Sequence, residues 1–251
     1  MSSWKREMAL MAEHDVGERS LADRAYLHIR DLIFRGVLRF GAEISRREVA
    51  AELGISVLPV AEALQRLEQE ALVESVPRVG TRVRIPTPTD VRGFTAVREA
   101  LESQAARLFA EKAAPKQRKE ILEMACRLDW MYDECAQADE AAPERLHAVR
   151  VYHMDFHMRV AEYADCPFLY QAIEKNQILT LHGIYDQMFG RRRLPGQFHE
   201  KLARALISGD SEIADRAMRQ HVRHRLDEIL QGLEPLLSVD ESRLAQLGRA
   251  R

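Results

Sequence analysis

Residues 26–83 read YLHIRDLIFRGVLRFGAEISRREVAAELGISVLPVAEALQRLEQEALVESVPRVGTRV, and this stretch decides the fold. An amphipathic helix runs up to Gly36. Ser45-Arg-Arg-Glu48 has the spacing of a capping box, in which a hydroxyl and a carboxylate close the first turn of a second helix. Gly54 supplies a tight turn. Ser56 is placed to cap a third helix, whose first turn tolerates Pro59. From Val73 to Ile85 the pattern changes to two short strands around a Pro77-Arg78-Val79-Gly80 tip. Two helices joined by a glycine turn and followed by a β-wing make a winged helix-turn-helix, a device for placing one helix in a DNA major groove.

The order and spacing of these residues resemble the GntR family of bacterial transcription regulators. The resemblance rests on Ile29-Arg30, Gly36-Val-Leu38, Gly41, Arg47-Glu48, Ala50, Leu53-Gly54-Ile-Ser56, Pro59-Val60, Glu62-Ala-Leu64, Leu67, Glu70, Leu72-Val73 and Gly80-Thr81. The third helix departs from the family pattern. That pattern opens Ser-Arg-Thr-Pro-Val-Arg-Glu-Ala-Leu, and here it is Ser56-Val-Leu-Pro-Val-Ala-Glu-Ala-Leu64. Val57 and Ala61 replace two arginines, Leu58 replaces a threonine, and Phe40 stands where proline is usual. Arginine neutralises phosphates and reads guanine bidentately, so its loss should weaken binding, change the preferred sequence, or both. The remaining DNA-contacting candidates are Arg46, Arg47, Ser56, Gln65 and Arg66 on the helices, with Arg78, Gly80 and Arg82 in the wing. Residues 1–85 carry thirteen Lys or Arg against thirteen Asp or Glu, so this half has no overall basic charge.

The chain of 251 residues is long enough for two domains. Its net charge of −2 excludes strong global attraction to nucleic acid or membrane, which leaves local steering. Three cysteines, Cys126, Cys135 and Cys166, form no CxxC pair and suit reduced thiols in a cytoplasmic protein. No apolar run approaches the ~20 residues that span a bilayer. Trp4, Lys5, Arg6 and Glu7 do not start a signal-peptide core, and residues 1–18 read as a flexible lead-in. A winged domain over 19–85 then meets a stiff linker at 86–89, Pro-Thr-Pro-Thr, with Thr89 or Asp90 ready to cap the next helix.

From residue 90 to 236 the pattern is helical. The expected helices run near 89–112, from Pro115, 143–163, 167–188, 195–208 and 210–236, with Asp210 as N-cap of the last and a tail at 237–251. Amphipathic helices of this kind bury a core as a bundle. The fold class is therefore mainly α: an N-terminal winged helix-turn-helix and a C-terminal all-α bundle.

Nine histidines are present, and their positions matter more than their number. His153 and His157 are four apart and share a helix face. His199 precedes Gly209-Asp210, and His221 lies in the last helix. This half resembles the ligand-binding FCD domain of FadR-like GntR regulators, through Val97-Arg98, Leu101-Glu102, Ala105-Ala106, Phe156-His157, His199-Glu200, Ala205-Leu-Ile207, Gly209-Asp210, Ala214, Met218-Arg219 and His221. The resemblance implies a divalent metal held by an Asp and a His four apart plus two further His. Those positions fall on His153, His157, His199 and His221, with His153 replacing the Asp. Four imidazoles suit a transition metal such as Zn or Ni better than Mg or Ca. Losing the carboxylate leaves a bound dication less neutralised and more attractive to an anion. The resemblance also places Arg98 where a guanidinium holds an effector carboxylate; pairing with Glu102 one turn on is the competing use. His182 and His224 lie near the same helices without a specific spacing argument.

Together these features imply a cytoplasmic, ligand-responsive regulator, with repression the commoner mode. Its expected partners are a double-stranded operator, a carboxylate-type effector and a second copy of itself. Two-fold operators need two recognition helices about one DNA turn apart. One rival is a sensor or partner-binding protein that has given up specific DNA binding, suggested by Val57 and Ala61. A metal-dependent enzyme is the other, but His-x-x-x-His lacks the adjacent Glu of metalloprotease helices, and no nucleophile motif is present.

Overall fold

The structure, a computed structural model, describes residues 20–78, 80–137, 143–175 and 194–249, the last part (238–249) as backbone. The chain divides into two compact units, one taking in residues up to Pro86 and the other running Thr87–Pro235.

In the first unit, helix α1 (Leu21–Phe34) is capped by Ser20, whose side chain accepts from the Asp23 amide. Its apolar stripe of Ala25, Tyr26, Ile29 and Ile33 is buried. It packs on α3 (Val57–Gln69), which buries Val60, Ala63, Leu64 and Leu67. Between them lies α2 (Arg46–Leu53). Ser45 accepts from the Glu48 amide at 3.3 Å, so one half of the expected capping box is made. Ser56 precedes α3 in extended backbone but makes no capping hydrogen bond, contrary to the expected cap. Strands β2 (Val73–Val76) and β3 (Gly80–Val83) form the wing, and a two-residue strand β1 (Glu43–Ile44) adds to it in the antiparallel order β1-β3-β2. β1 is too short to show alternation in sequence.

Gly54 joins α2 to α3 with φ +65, in the left-handed region where a side chain is strained. An added Cβ would meet nothing within 4 Å, so any cost is conformational. Gly54→Ala is therefore expected to destabilise this unit by about 1–2 kcal/mol, read as a lower urea midpoint of the full chain. An unchanged midpoint would show that the left-handed backbone does not set this turn.

The second unit contains α4 (Pro88–Lys112), α5 (Pro115–Gln137), α6 (Pro143–Tyr163), α7 (Pro167–Lys175), α8 (Phe198–Leu206), α9 (Ser211–Arg223) and the start of α10 (Leu226–Arg249). The cap of α4 is Thr87 rather than Thr89 or Asp90. Thr87 and Asp90 form a full capping box, and Pro88 takes the first helical position, where no N–H is needed. Asp210 caps α9 as expected, accepting from the amides of Glu212 and Ile213.

The expected final helix, 210–236, is two helices separated at His224 and Arg225, and the second continues through Pro235 to Arg249, where a tail was expected. Neither Gly nor Pro marks this break, so the sequence carried no sign of it. The expected helix over 167–188 is described only to Lys175, and its remainder lies outside the described residues. Phe109, Ile121, Leu128, Phe156, Leu206 and Met218 are fully buried and join α4, α5, α6, α8 and α9 in one apolar core. No helix among the described residues is long and apolar enough to cross a membrane.

Candidate DNA-reading surface and buried histidine centre

The winged unit sorts its polar candidates into two groups. Arg46, Arg47, Gln65 and Arg78 are exposed, Arg46 reaching the Thr81 hydroxyl at 3.4 Å and Arg78 adopting a positive φ at the wing tip. Ser56 and Gly80 are also exposed. Arg66 and Arg82 are engaged within the unit. Arg66 lies 3.9 Å over the Tyr26 ring and pairs with Asp23 at 3.0 Å. Arg82 pairs across the wing with Glu74 at 2.8 Å and is largely buried. The exposed face of α3 opens with two large apolar side chains, Val57 (44% exposed) and Leu58 (68%), followed one turn on by half-buried Ala61.

In the helical unit, His153 and His157 project from α6, His199 from the first turn of α8 and His221 from the last turn of α9. All four are buried, His199 completely. His157 Nε2 is the hub, 2.9 Å from His153 Nε2 and 3.2 Å from His221 Nε2. Ring nitrogens of these three lie within 4.8 Å of one another. The His199 ring is 4.9 Å from that of His153 and 5.3 Å from that of His221, centroid to centroid. The helix fold thus brings together the four histidines that the sequence singled out.

Carboxylates behind the rings fix their direction. Glu102 Oε2 lies 2.5 Å from His157 Nδ1, and Arg98 Nε donates to the other oxygen of Glu102. Burial alone would push the Glu102 carboxyl up, but Arg98 and His157 outweigh it and hold it at about 2. An ionised carboxylate only accepts, so Nδ1 is the donor side of the His157 contact with Glu102, and Nε2 faces inward to His153 and His221. Asp129 Oδ1 repeats this at His199 Nδ1, at 2.7 Å. Asp129 also accepts from the amides of His199 and Glu200, and so caps α8, whose own N-cap residue Gln197 makes no side-chain cap bond. Burial lowers the His199 imidazole despite Asp129, which favours the neutral ring. His199 Nε2 is buried without a hydrogen-bond partner among the described residues.

This donor set suits a transition ion. Nitrogens bound at 2.0–2.1 Å, subtending octahedral to tetrahedral angles, stand about 2.9–3.4 Å apart, and the two distances to His157 fall in that window. His157 Nε2 faces two other imidazole nitrogens, and His199 Nε2 has no hydrogen-bond partner among the described residues. A cation among His153, His157 and His221 would meet three of the four rings, with His199 beside them, and the carboxylate-backed histidine is the usual outer support of such ligands.

Arg98 is buried rather than on the surface, and its pairing with Glu102 is made. Its Nη2 has no hydrogen-bond partner among the described residues. Tyr132 bonds His153 Nδ1 at 3.3 Å and stacks on His199. Burial pushes its phenol up to about 12, against the pull of Arg225, Arg150 and Arg98, so it stays protonated near neutrality. A cavity of about 20 Å³ adjoins Tyr132, His153, His199, His221 and Arg225, room for about one water. His224 is exposed and packs on Phe198 at 4.5 Å. His182 lies outside the described residues. Sequence reading missed Asp129 and Tyr132, since α5 reaches the centre from 70 residues before His199 and no spacing rule links them.

Residues 21–83 match the family described as bacterial regulatory proteins, gntR family, and residues 94–224 match the FCD domain. A curated relative from Paenarthrobacter nicotinovorans, "Probable D-xylose utilization operon transcriptional repressor", is 31% identical over 203 residues, covering 77% of this chain and 84% of its own length. The HTH-type transcriptional repressor RspR of Escherichia coli K12 is 25% identical over 211 residues, covering 82% and 87%. Among solved structures, a GntR regulator from Rhodococcus sp. RHA1 superposes with TM-score 0.67 at 23% identity, over 85% of this chain and 99% of its own. Escherichia coli McbR/YncC gives 0.64 at 20%, over 85% and 98%. These two share the fold.

Proposed function

The chain belongs to the GntR family of bacterial regulatory proteins, with an FCD domain, and from that premise we propose a metal-dependent, ligand-responsive repressor. The family is one of transcription regulators and not of enzymes. Two relatives carry the word repressor in their names, which supports that sign of regulation here. The protein works in the cytoplasm as a homodimer on a two-fold operator, contacted by Arg46, Arg47, Ser56, Gln65, Arg78 and Gly80, with Arg66 and Arg82 contributing when they leave their internal carboxylates. The exposed Arg66–Asp23 pair holds weakly, by about 0–1 kcal/mol, so phosphates compete with it.

The observation that carries the metal part is the meeting of His153 and His221 on His157 Nε2, with Glu102 and Asp129 behind two of the four rings. His153, His157, His199 and His221 would hold Zn or Ni, which supplies positive charge for an anionic effector. Arg98, through an Nη2 that has no hydrogen-bond partner among the described residues, adds a charged donor, and Arg225 and the protonated Tyr132 line the adjoining space. That space holds little more than a water, so a metabolite enters only as the lining opens. An effector that prefers the opened state shifts the population and with it operator affinity.

The test is fluorescence anisotropy of the purified full chain on DNA from its own upstream region, against scrambled competitor at physiological salt. Tight binding that survives the competitor supports the reading. Binding no better than to scrambled DNA would favour the rival, a partner-binding protein, which the apolar start of α3 motivates. In the same assay Ala61→Arg should raise affinity and steepen the salt dependence by about 0.9 in log–log slope for each phosphate gained. An unaltered slope would mean that this face of α3 does not meet the phosphates.

A further inference from the structure

The start of the reading helix is apolar and exposed. Val57 and Leu58 occupy its first two positions, at 44% and 68% exposure, with Ala61 one helical turn beyond Val57. Isolated exposed apolar residues are ordinary. This pair is set apart by its placement, because the N-terminal residues of the second helix of a helix-turn-helix are the ones that reach base edges. Exposed Arg46 and Arg47 stand at the start of α2, where the first helix of such a motif meets the DNA backbone. The side chains at the base-reading positions therefore lack the bidentate donors that select guanine. They offer methyl groups, which the major groove rewards at one place only, the 5-methyl of thymine. Glu62, exposed one turn after Leu58, adds an acceptor suited to the cytosine amino group and opposes close phosphate approach.

We infer that Val57 and Leu58 are the specificity-determining residues of the operator contact, and that they read thymine methyl groups. This rests on the operator-binding reading above. The experiment selects duplexes from a random library with the full chain, then replaces each dT of the selected site in turn by dU, which removes the methyl and nothing else. At one or two positions per half-site the affinity should fall about fourfold for each methyl removed. In the Val57→Ala/Leu58→Ala variant the same replacement should cost nothing, because the contact is already gone. Both side chains are exposed, so the variant keeps its fold. Val57→Arg should move the selected base at that position to guanine and steepen the salt dependence.

If the library yields no enriched sequence, operator binding and thymine reading fall together. An enriched sequence that tolerates dU throughout would overturn the thymine reading alone. A dU penalty that persists in the double alanine variant would also overturn it, since the methyl would then act through DNA shape.

Discussion

Alanine in place of His157 will strip the helical domain of the metal proposed for it. His157 Nε2 is the atom on which His153 and His221 converge, so its loss removes the shared vertex of the site rather than one outer ligand. Metal content per chain, measured by mass spectrometry after purification, should fall from near one in the parent to background in His157→Ala, and likewise in His221→Ala. A chelator supplies an independent reading. A ligand present at about a hundred times its Kd stabilises by about 2.7 kcal/mol, which for a domain of this size is a shift of roughly 5–10 °C in Tm. The parent should lose that much on chelation, and the His157→Ala protein should lose none. Equal metal in parent and both variants, or a parent indifferent to the chelator, would remove the metal from the proposed function.

Methionine in place of Arg98 should unfold the helical domain far more easily. Arg98 is 3% exposed and Glu102 2%, and the guanidinium is one of the two groups that keep this carboxylate ionised out of water. Removing one partner of a buried pair leaves an uncompensated charge, at a cost of about 3–5 kcal/mol. Urea denaturation with chelator present, to exclude metal linkage, measures it. Pairing Arg98→Met with Glu102→Gln should restore most of the lost stability, since both charges are then gone. The double variant should still bind metal ten- to a hundredfold more weakly, because His157 has lost the carboxylate that orients it. A loss under about 1 kcal/mol in the single variant would show that Glu102 does not depend on Arg98 and would leave the guanidinium to the effector alone.

The two families of candidates differed in how plainly the sequence showed them. Gly54 and the Ser45–Glu48 pair mark the two helices of the reading motif because left-handed backbone and helix ends demand particular side chains locally. The wing followed from turn residues at 77–80. Strand β1 escaped notice because two residues cannot show a period of two. Ser56 has the right type for a cap and makes no capping bond, whereas Thr87, passed over for Thr89 and Asp90, makes a full capping box. Residue type narrows the choice at a helix start, and the chain path decides among neighbours.

The sequence by itself determined the winged motif, the helical character of the C-terminal half and the positions of the four histidines, because periodicity, glycine turns and residue spacing are properties of nearby positions. Tertiary structure alone decided which groups stand behind those histidines. Asp129 reaches His199 from another helix, Glu102 turns from a simple partner of Arg98 into the link between Arg98 and His157, and Tyr132 lines the cavity. It also decided which arginines of the winged unit are held by Asp23 and Glu74. The reason is physical. Buried charges need partners, and a partner is chosen by proximity in the packed chain, which a spacing along the sequence does not encode.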